Sequence, residues 1–371
     1  MTDPTSRRRY TRLVEALPVV VPFVPPEALE RRIGRKLRLR LGANESAFGP
    51  SPKAVAAMAE GAAGINHYGD PEGYVLRGAI AARHGISRDN IALGSGIDEI
   101  EGLLVRAFME PGETVVMSHG SYPTFAYHVN GRGGKLVTIP YTREYNDLEA
   151  LGQAAREHQA RIVFLVNPDN PTGTWLSASD QLRLIERLPD GSVLILDEAY
   201  ADFAPAESLP DLDAEDRRVI RLRTFSKAHG LAGARIGYVI APAETIVALD
   251  KIRNHFAVNR LAQQGALASL SDPDFVADVV AQVALGRDDY ARLAASLGLK
   301  TLPSATNFVA FDLGTSTRAK ETVRLLLEDE AVFIRMPGVA PLDRHIRVTI
   351  GTPEERALFA PSLARVVAKL G

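Results

Sequence analysis

The chain has 371 residues, 46% of them apolar and 24% charged, and its 43 basic and 45 acidic side chains leave a formal net charge of −2. This balance excludes an intrinsically disordered chain and argues against a nucleic-acid binder or a membrane-surface protein. Cysteine is absent, which excludes disulfide frameworks, cysteine-ligated metals and thiol nucleophiles and fits a reducing cytoplasm. The length predicts roughly two domains.

The N-terminal segment is predicted to be a flexible, solvated arm. The apolar run 17–24 has eight residues, two of them proline, and a bilayer span needs about 20 apolar residues. The basic residues 7–9 imitate the start of a signal peptide, but no small-residue cleavage site follows. We therefore expect a soluble protein in which residues 21–26 run extended into a first helix at 27–33.

The middle of the chain alternates short apolar runs with helical patterns. One run at 91–93 leads through glycines into apolar residues at helical spacing. Further strands are predicted at 114–117, 136–139, 161–166, 193–196, 219–222 and 236–240. Several are continuous runs of valine, isoleucine and leucine, which are typical of strands covered on both faces. The pattern predicts an α/β domain with a mostly parallel sheet and a ligand site at the carboxyl ends of its strands.

The pattern changes after about residue 275. Helical stretches at 275–297 and 318–329 bracket short strands, which are predicted at 307–312, 332–335 and 346–350. These elements indicate a smaller α+β domain. The predicted division is an arm with part of the small domain at 1–42, a large domain at 43–272 and the rest of the small domain at 273–371.

A lysine lies among small residues just after the predicted strand 219–222. Taken alone, Lys227 is more often a surface lysine. A buried lysine, however, has a lowered pKa and becomes a nucleophilic amine that can form a Schiff base. Arg235 follows eight residues later in a glycine-rich stretch, where its guanidinium can grip a phosphate.

The strand 193–196 delivers Asp197 to its carboxyl end, and Tyr200 follows three residues later. The Asp-Glu pair can be a metal site or a Walker-B carboxylate. Asp197 can also keep a ring nitrogen protonated while the tyrosine hydroxyl bonds a ring oxygen. The sequence has no Gly-x-x-x-x-Gly-Lys-Ser/Thr motif, which excludes the Walker-B interpretation.

Two loops are further candidates for ligand binding. The turn-rich loop 167–173 follows the strand 161–166, and Asn170 in it can donate to a ring oxygen. The loop 94–99 joins a strand to a helix, but a dinucleotide fingerprint needs glycine where this chain has Glu99. Backbone N–H groups at that helix start can still hold a single phosphate.

In this order the motifs resemble the fold-type-I pyridoxal-phosphate aminotransferases of class I/II, particularly the histidinol-phosphate branch. The resemblance extends from about Pro22 to the C-terminus. It rests on Asn44-Glu45-Ser46, Tyr68-Gly69-Asp70-Pro71, the loop 167–173, Asp-Glu-Ala-Tyr from Asp197, Thr-Phe-Ser-Lys ending at Lys227, and Arg347-Val348-Thr349-Ile350-Gly351. The implied fold is a large domain with a mostly parallel seven-stranded sheet flanked by helices, plus a small α+β domain.

The resemblance also implies the roles of the site residues. Lys227 would hold pyridoxal 5′-phosphate as a Schiff base and shuttle a proton during the reaction, and Asp197 would pair with the pyridinium nitrogen. The other implied cofactor contacts are Gly96, Ile97, Asp98, Thr224, Ser226 and Arg235 at the phosphate, Asn170 and Tyr200 at the ring oxygen, and Tyr122 on the ring face. Tyr68 would reach the phosphate of the other subunit, which makes the active unit a homodimer.

The implied substrate site consists of Phe23, Asn44, Arg335 and Arg347, with the two arginines at the acidic group. The leading hypothesis is transamination between L-histidinol phosphate and 2-oxoglutarate, which gives imidazole acetol phosphate and glutamate. Phe23 stands where the branch usually has a tyrosine that touches the substrate phosphate, and Ile97 replaces a usual serine. The first departure makes an aromatic amino-acid aminotransferase the alternative, with a phospho-amino-acid decarboxylase more distant.

Other interpretations carry less weight. Transcriptional regulators share this fold, but the residues before Gly34 are too few for a typical helix-turn-helix domain. No histidine pair has metal spacing, so packing or hydrogen-bonding roles are predicted for His119, His128, His229 and His255. We expect small-molecule substrates, with neither nucleic acid nor membrane as a partner.

Overall fold

The structure, a computed structural model, describes residues 9–19 and 23–371. Residues 7 and 8 of the predicted charged arm and residues 21 and 22 of the predicted extended segment lie outside these ranges. The helices are α1 (Arg12–Ala16), α2 (Pro26–Ile33), α3 (Pro52–Gly61), α4 (Tyr74–His84), α5 (Ile97–Phe108), α6 (Thr124–Arg132), α7 (Leu148–Glu157), α8 (Ala178–Glu186), α9 (Ala243–Asp250), α10 (Arg260–Leu270), α11 (Pro273–Ser296), α12 (Ser316–Glu328) and α13 (Pro353–Leu370).

The strands are short, and all but β1 and β9, which were not predicted, match the predicted apolar runs. They are β1 (Leu39–Arg40), β2 (Ile91–Gly94), β3 (Thr114–Ser118), β4 (Lys135–Ile139), β5 (Ile162–Val166), β6 (Val193–Asp197), β7 (Val219–Thr224), β8 (Gly237–Ile240), β9 (Lys300–Thr301), β10 (Phe308–Asp312), β11 (Val332–Phe333) and β12 (His345–Thr349). Most boundaries differ from the predictions by one or two residues.

Within the described residues, the large sheet has seven strands in the order β2-β8-β7-β6-β5-β3-β4. Six of these strands run in the same direction, and β8 runs antiparallel to them. Every residue of β5 and β6 is buried, because one hydrophobic cluster joins the sheet to α5, α6 and α9 and a second joins it to α7 and α8. The prediction of a mostly parallel sheet flanked by helices is therefore confirmed.

The C-terminal part is a smaller α+β unit. Strand β10 lies between β9 and β12 in an antiparallel sheet, and a hydrophobic cluster joins this sheet to α11, α12 and α13. Strand β1 pairs in parallel with β11, which ties the segment before the large sheet to this unit. The same cluster includes Tyr200 and Ala228 of the large domain, so the three-part domain division stays a prediction.

Two local predictions need correction. The predicted strand 332–335 is shorter, because β11 ends at Phe333 and Arg335 makes only an isolated antiparallel bridge to Arg347. Pro337 follows closely, and proline cannot donate to a strand ladder. The helix α1 was not predicted in the arm, and Thr11 begins it by accepting a hydrogen bond from the N–H of Val14. None of the helices in the described ranges combines the length and apolar character that a bilayer crossing needs.

Candidate active site

A cavity of about 480 Å³ opens at the carboxyl ends of β5, β6 and β7, where the sequence places its ligand site. It brings together nearly all of the residues predicted for the site. They are Phe23, Asn44, Ile97, Asp98, Tyr122, Asn170, Asp197, Tyr200, Thr224, Ser226, Lys227, Arg235, Arg335 and Arg347. Gly96 lies beside the cavity, and Tyr68 lies outside it. The role of each residue stays a prediction.

Lys227 follows β7, and its partly buried side chain lines the cavity. Its Nζ donates a hydrogen bond to the backbone oxygen of Asn44 at 3.1 Å. Burial, followed by the positive charge of Arg347, lowers the pKa of Lys227 to about 8. A much larger fraction of this amine is therefore neutral near pH 7 than for an exposed lysine, and a neutral amine is the nucleophilic form.

Asp197 ends β6 and is buried at the wall of the same cavity. Its Oδ1 accepts a hydrogen bond from the N–H of Ala199 at 2.9 Å. Burial, with a smaller contribution from the charge of Asp98, raises the pKa of Asp197 to about 7. A buried carboxylate of this kind is stabilised by a cationic partner, and a protonated ring nitrogen is such a partner.

The neighbouring Glu198 points to the opposite face of the sheet, since successive side chains of a strand alternate. Its carboxylate binds Arg221 at 3.0 Å and Arg223 at 2.8 Å, and it is almost completely buried. Among the described residues, no group of three or more potential ligands is arranged to hold a metal ion. The two acidic residues thus serve different faces, which argues against the metal-site interpretation of the Asp-Glu pair.

The backbone at the start of α5 forms a concave surface for an anion, here called the cup, which consists of Gly96, Ile97 and Asp98. Gly96 has a positive φ of 83°, and a Cβ atom there would lie 2.4 Å from Nη2 of Arg235, so the position suits only glycine. The N–H groups of Ile97 and Asp98 belong to the first turn, where the helix dipole favours negative charge. Because these contacts come from the backbone, the isoleucine at 97 is compatible with phosphate binding.

Hydroxyl groups and a guanidinium complete this cup. Thr224 at the end of β7 and Ser226 just after it line the cavity, and Oγ1 of Thr224 accepts a hydrogen bond from the N–H of Ser226 at 3.0 Å. Arg235 donates to the backbone oxygen of Ala232 at 3.1 Å and remains about half exposed. Two hydroxyls, a guanidinium and a helix N-terminus suit a dianionic phosphate group.

Tyr200 lies at the centre of a polar network between the cup and the arginines. Its hydroxyl accepts a hydrogen bond from Nδ2 of Asn44 at 2.9 Å and another from Nδ2 of Asn170 at 3.5 Å. Burial raises the pKa of Tyr200 to about 12, so the phenol stays protonated at neutral pH. Asn44, predicted as a substrate contact, therefore also orders the groups around the lysine and the tyrosine.

Two residues of this network were not predicted. Asn307 donates to the backbone oxygen of Asn44 at 3.0 Å, and Oγ1 of Thr349 donates to its Oδ1 at 3.3 Å. Thr349 lies two positions after Arg347 on β12 and so shares its face. The two-residue spacing from Arg347 could therefore have predicted Thr349 as a site residue, whereas no sequence pattern indicates Asn307.

The two predicted substrate arginines converge on the other end of the cavity. Arg347 comes from β12, is partly buried and donates to Oδ1 of Asn170. Arg335 lies beside it through their backbone bridge, and its guanidinium lies 5.0 Å from the ring centre of Phe23. The Phe23 ring in turn lies 5.9 Å from that of Tyr122. Burial lowers the pKa of both arginines, but an arginine keeps its charge at neutral pH.

Tyr68 is placed apart from these groups. Its side chain is 78% exposed and packs on the ring of Phe256, with 4.7 Å between the ring centres. Two of the four highlighted histidines form hydrogen bonds, as predicted: His128 to the backbone oxygen of Asp98 and His229 to Oγ of Ser269.

The chain matches a family model over most of its length. The model describes the aminotransferases of class I and II and matches residues 38–363. The chain belongs to this family. The predicted fold and enzyme class are thereby confirmed.

Two curated relatives carry the name of the histidinol-phosphate branch. The histidinol-phosphate aminotransferase 2 of Carboxydothermus hydrogenoformans is 37% identical to this aminotransferase over 360 residues, which cover 96% of this chain and 98% of that protein. The histidinol-phosphate aminotransferase of Moorella thermoacetica is 36% identical, with 95% of this chain and 92% of that protein covered.

A solved structure shows the same fold throughout. The crystal structure of histidinol-phosphate aminotransferase from Sinorhizobium meliloti, in complex with pyridoxal-5′-phosphate, superimposes with a TM-score of 0.95 at 46% sequence identity. The match covers 99% of this chain and 100% of that one. The cofactor of that structure supports the cofactor prediction for this aminotransferase.

Proposed function

We propose that the protein is a pyridoxal-5′-phosphate-dependent aminotransferase that exchanges the amino group of L-histidinol phosphate with 2-oxoglutarate. The products are imidazole acetol phosphate and glutamate. The observation that carries the proposal is the pairing of Arg335 and Arg347 at one end of the cavity that also encloses Lys227. The relatives named histidinol-phosphate aminotransferases support this substrate.

The residues present fit the cofactor at each of its groups. Bound in the cavity, pyridoxal 5′-phosphate supplies an electron sink for the exchange of the amino group. The cup at the start of α5 binds the phosphate, and Asp197 holds the proton on the ring nitrogen. Tyr200 donates to the ring oxygen, and Lys227 moves the proton at the substrate Cα.

The charge of the two arginines selects the acidic group of the substrate. Two guanidiniums match a dianionic phosphate, and they also match a carboxylate of 2-oxoglutarate when the second substrate binds. Phe23 lacks the hydroxyl that would add one hydrogen bond, worth about 0.5–1.5 kcal/mol net. A charged hydrogen bond contributes more binding free energy than a neutral one. The two arginines therefore add more to the affinity for the phosphorylated substrate than the missing hydroxyl removes.

An aromatic amino-acid aminotransferase is the second candidate. The observation in its favour is the stacked pair of Phe23 and Tyr122 rings beside the cavity, which offers an apolar surface. A panel with histidinol phosphate, phenylalanine, tyrosine and histidine as donors to 2-oxoglutarate separates the two. We expect the highest kcat/KM with histidinol phosphate, a large loss for Arg335→Ala and tighter histidinol-phosphate binding for Phe23→Tyr. A higher kcat/KM with phenylalanine or tyrosine that Arg335→Ala leaves unchanged would establish the second candidate.

The proposal includes a homodimer in which Tyr68 reaches the cofactor phosphate of the other subunit. Large apolar side chains around the Tyr68 segment are unusually exposed for a monomer: Ile65 by 57%, Tyr68 by 78%, Tyr74 by 55%, Val75 by 63% and Phe256 by 50%. Sedimentation at assay concentrations tests this. A monomer with full activity would contradict it.

We also place the enzyme in the cytoplasm, which rests on its cysteine-free composition. Cell fractionation with an activity assay checks the location. Activity recovered mainly from a membrane or secreted fraction would contradict it.

A further inference from the structure

The segment of residues 68–71, here called the Tyr68 loop, is exposed yet firmly held. Three of its backbone oxygens accept hydrogen bonds from side chains far away in the sequence. Arg260 donates to the oxygen of Tyr68 at 2.8 Å, Gln263 to that of Asp70 at 2.9 Å, and Arg253 to that of Pro71 at 2.8 Å. We call these three donors the clamp.

Two members of the clamp are themselves fixed by the start of α10, and the third, Arg253, is paired with Asp250 at the end of α9. The side chain of Asn259 caps this helix by accepting from the N–H of Ala262 at 2.8 Å, and Arg260 and Gln263 lie on its first turn. Gln263 also donates to the backbone oxygen of Val258 at 3.1 Å. Donors on a capped helix are restrained, so the carbonyl groups that they bind are restrained too.

The Tyr68 loop approaches this helix start closely. A Cβ atom at Gly69 would lie 3.1 Å from the backbone nitrogen of Arg260, a spacing that a bulkier residue does not tolerate without a shift. The ring of Phe256 supports the Tyr68 ring from the same side. The contacts of the Tyr68 loop with its own chain thus fix where the tyrosine projects, while the tyrosine itself faces outward.

Exposed loops ordinarily sample many conformations, because few contacts restrain them. Here three side-chain donors and one aromatic ring restrain four residues that contribute little to the hydrophobic core. Folding alone does not require such a device at a 78% exposed side chain. A group that must reach a fixed atom of another subunit does require it, since a misplaced donor loses its hydrogen bond.

We propose that Arg253, Arg260 and Gln263 are positioning residues that act across the subunit boundary. They hold the Tyr68 loop so that the Tyr68 hydroxyl binds the cofactor phosphate in the other subunit, and they leave the cavity of their own subunit unaffected. This inference rests on the proposed dimer. It assigns to the clamp an effect in trans that neither a folding role nor a role in the local site produces.

Heterodimers with one working lysine test the inference. Two chains with different affinity tags are mixed and the mixed dimer is purified, with Lys227→Ala inactivating one site. In the first arrangement Arg260→Met is in the chain that keeps Lys227. In the second arrangement Arg260→Met is in the chain that carries Lys227→Ala. The readouts are kcat/KM per working site and the cofactor that stays on Lys227 after dialysis, fixed with borohydride.

We expect the first arrangement to match the wild-type/Lys227→Ala heterodimer, because its working site receives Tyr68 from an intact clamp. In the second arrangement we expect cofactor affinity to fall about two- to tenfold, the effect of one net hydrogen bond. Gln263→Leu should act in the same direction, and Arg260→Lys, which keeps a donor, should restore most of the affinity. Arg217→Met, which removes an exposed arginine paired with Glu244, is the matched control and should change neither arrangement.

Equal losses in both arrangements, or no loss in either, would overturn the inference. Dissociation to monomers by both Arg260→Met and Gln263→Leu would also overturn it, since the clamp would then serve subunit association. Tyr68→Phe is placed in the same two arrangements to test the proposed dimer separately. If Tyr68→Phe lowers activity in trans while the clamp variants do not, only this inference fails. If Tyr68→Phe acts in its own chain, the proposed dimer site fails as well.

Discussion

Lys227 and Arg347 line the same cavity, and the charge of Arg347 affects the protonation of the lysine. Burial and the charge of Arg347 together lower the pKa of Lys227 to about 8. Removing the guanidinium therefore raises the pKa of the lysine and lowers its neutral fraction at pH 7.

For Arg347→Met we expect the pH midpoint of cofactor capture by the unloaded protein to rise by about half a pH unit. Absorbance after addition of pyridoxal 5′-phosphate at a series of pH values measures it. Arg335→Met is the matched control, since it removes a neighbouring arginine whose guanidinium lies near the rings of Phe23 and Phe333. An equal rise in both variants would mean that the effect is not the charge of Arg347.

The pKa of Asp197 shifts upward, because burial of its carboxylate outweighs the opposing effects of the Ala199 N–H group and the Lys227 charge. Its pKa rises from a usual value of 3.8 to about 7, so between these values the folded chain binds more protons than the unfolded chain. The free energy of unfolding therefore falls as the pH rises through this range.

For Asp197→Asn we expect the unloaded protein to gain on the order of 2–4 kcal/mol in the free energy of unfolding at pH 8 and little at pH 4. Urea titrations at the two pH values measure this. Transamination should fall far more than cofactor affinity, because the phosphate cup remains. Similar losses of activity and affinity would show that the carboxylate is only structural.

At the scale of elements, the junction of β2 and α5 determines how the phosphate is held. Gly96 combines a positive φ with a close approach to Arg235, whereas Gly85 after α4 has a positive φ of 66° and open space around it. Substitutions at both glycines strain the backbone, but only a substitution at Gly96 also disturbs the cup. Comparing the two therefore distinguishes the effect of backbone strain from the effect of a disturbed cup.

For Gly96→Ala we expect a loss of cofactor affinity of at least about tenfold, since Arg235 must move away. Gly85→Ala should destabilise the fold by about 1 kcal/mol and leave cofactor affinity unchanged. Equilibrium dialysis of cofactor and thermal unfolding measure the two effects. Unchanged affinity in Gly96→Ala would show that the cup does not bind the phosphate.

Some elements were predictable because their signal is local. The apolar runs of β5 and β6 and the turn-rich loop between β5 and α8 are visible in single stretches of sequence. The contacts of Asn44 with Asn307 and of Arg260 with the Tyr68 loop join residues that are far apart in sequence, so no local pattern predicts them. Glu198 was ambiguous for a different reason, since only the arginines of β7 show which face it serves.

At the scale of the whole molecule, one hydrophobic cluster crosses the predicted domain boundary. It joins Leu41, Tyr200 and Phe311, which come from the three predicted segments. Because these side chains bury a common surface, the smaller unit and the large sheet are expected to unfold together.

For Phe311→Ala we expect a loss of about 3–5 kcal/mol in stability, as for a large buried aromatic side chain. Trp175, the single tryptophan, follows β5 and reports on the large domain, while far-UV circular dichroism reports on all helices. Both unfolding transitions should shift by the same amount. A shift in circular dichroism without one in tryptophan fluorescence would show that the two units unfold independently.

The alternation of Asp197 and Glu198 limits how β6 can slide between its neighbours. Apolar residues on both faces of β6 would tolerate a slip of one position, since they fit either side of the sheet. The two acidic residues do not tolerate it. A slip would direct the glutamate into the cavity, leave the aspartate to face Arg221 and Arg223, and break the ion pairs that Glu198 makes with these arginines. The aspartate in the cavity and the ion-paired glutamate on the other face thus specify a strand register that the apolar residues leave ambiguous. A one-residue insertion in β6 would therefore abolish activity before it abolished the fold.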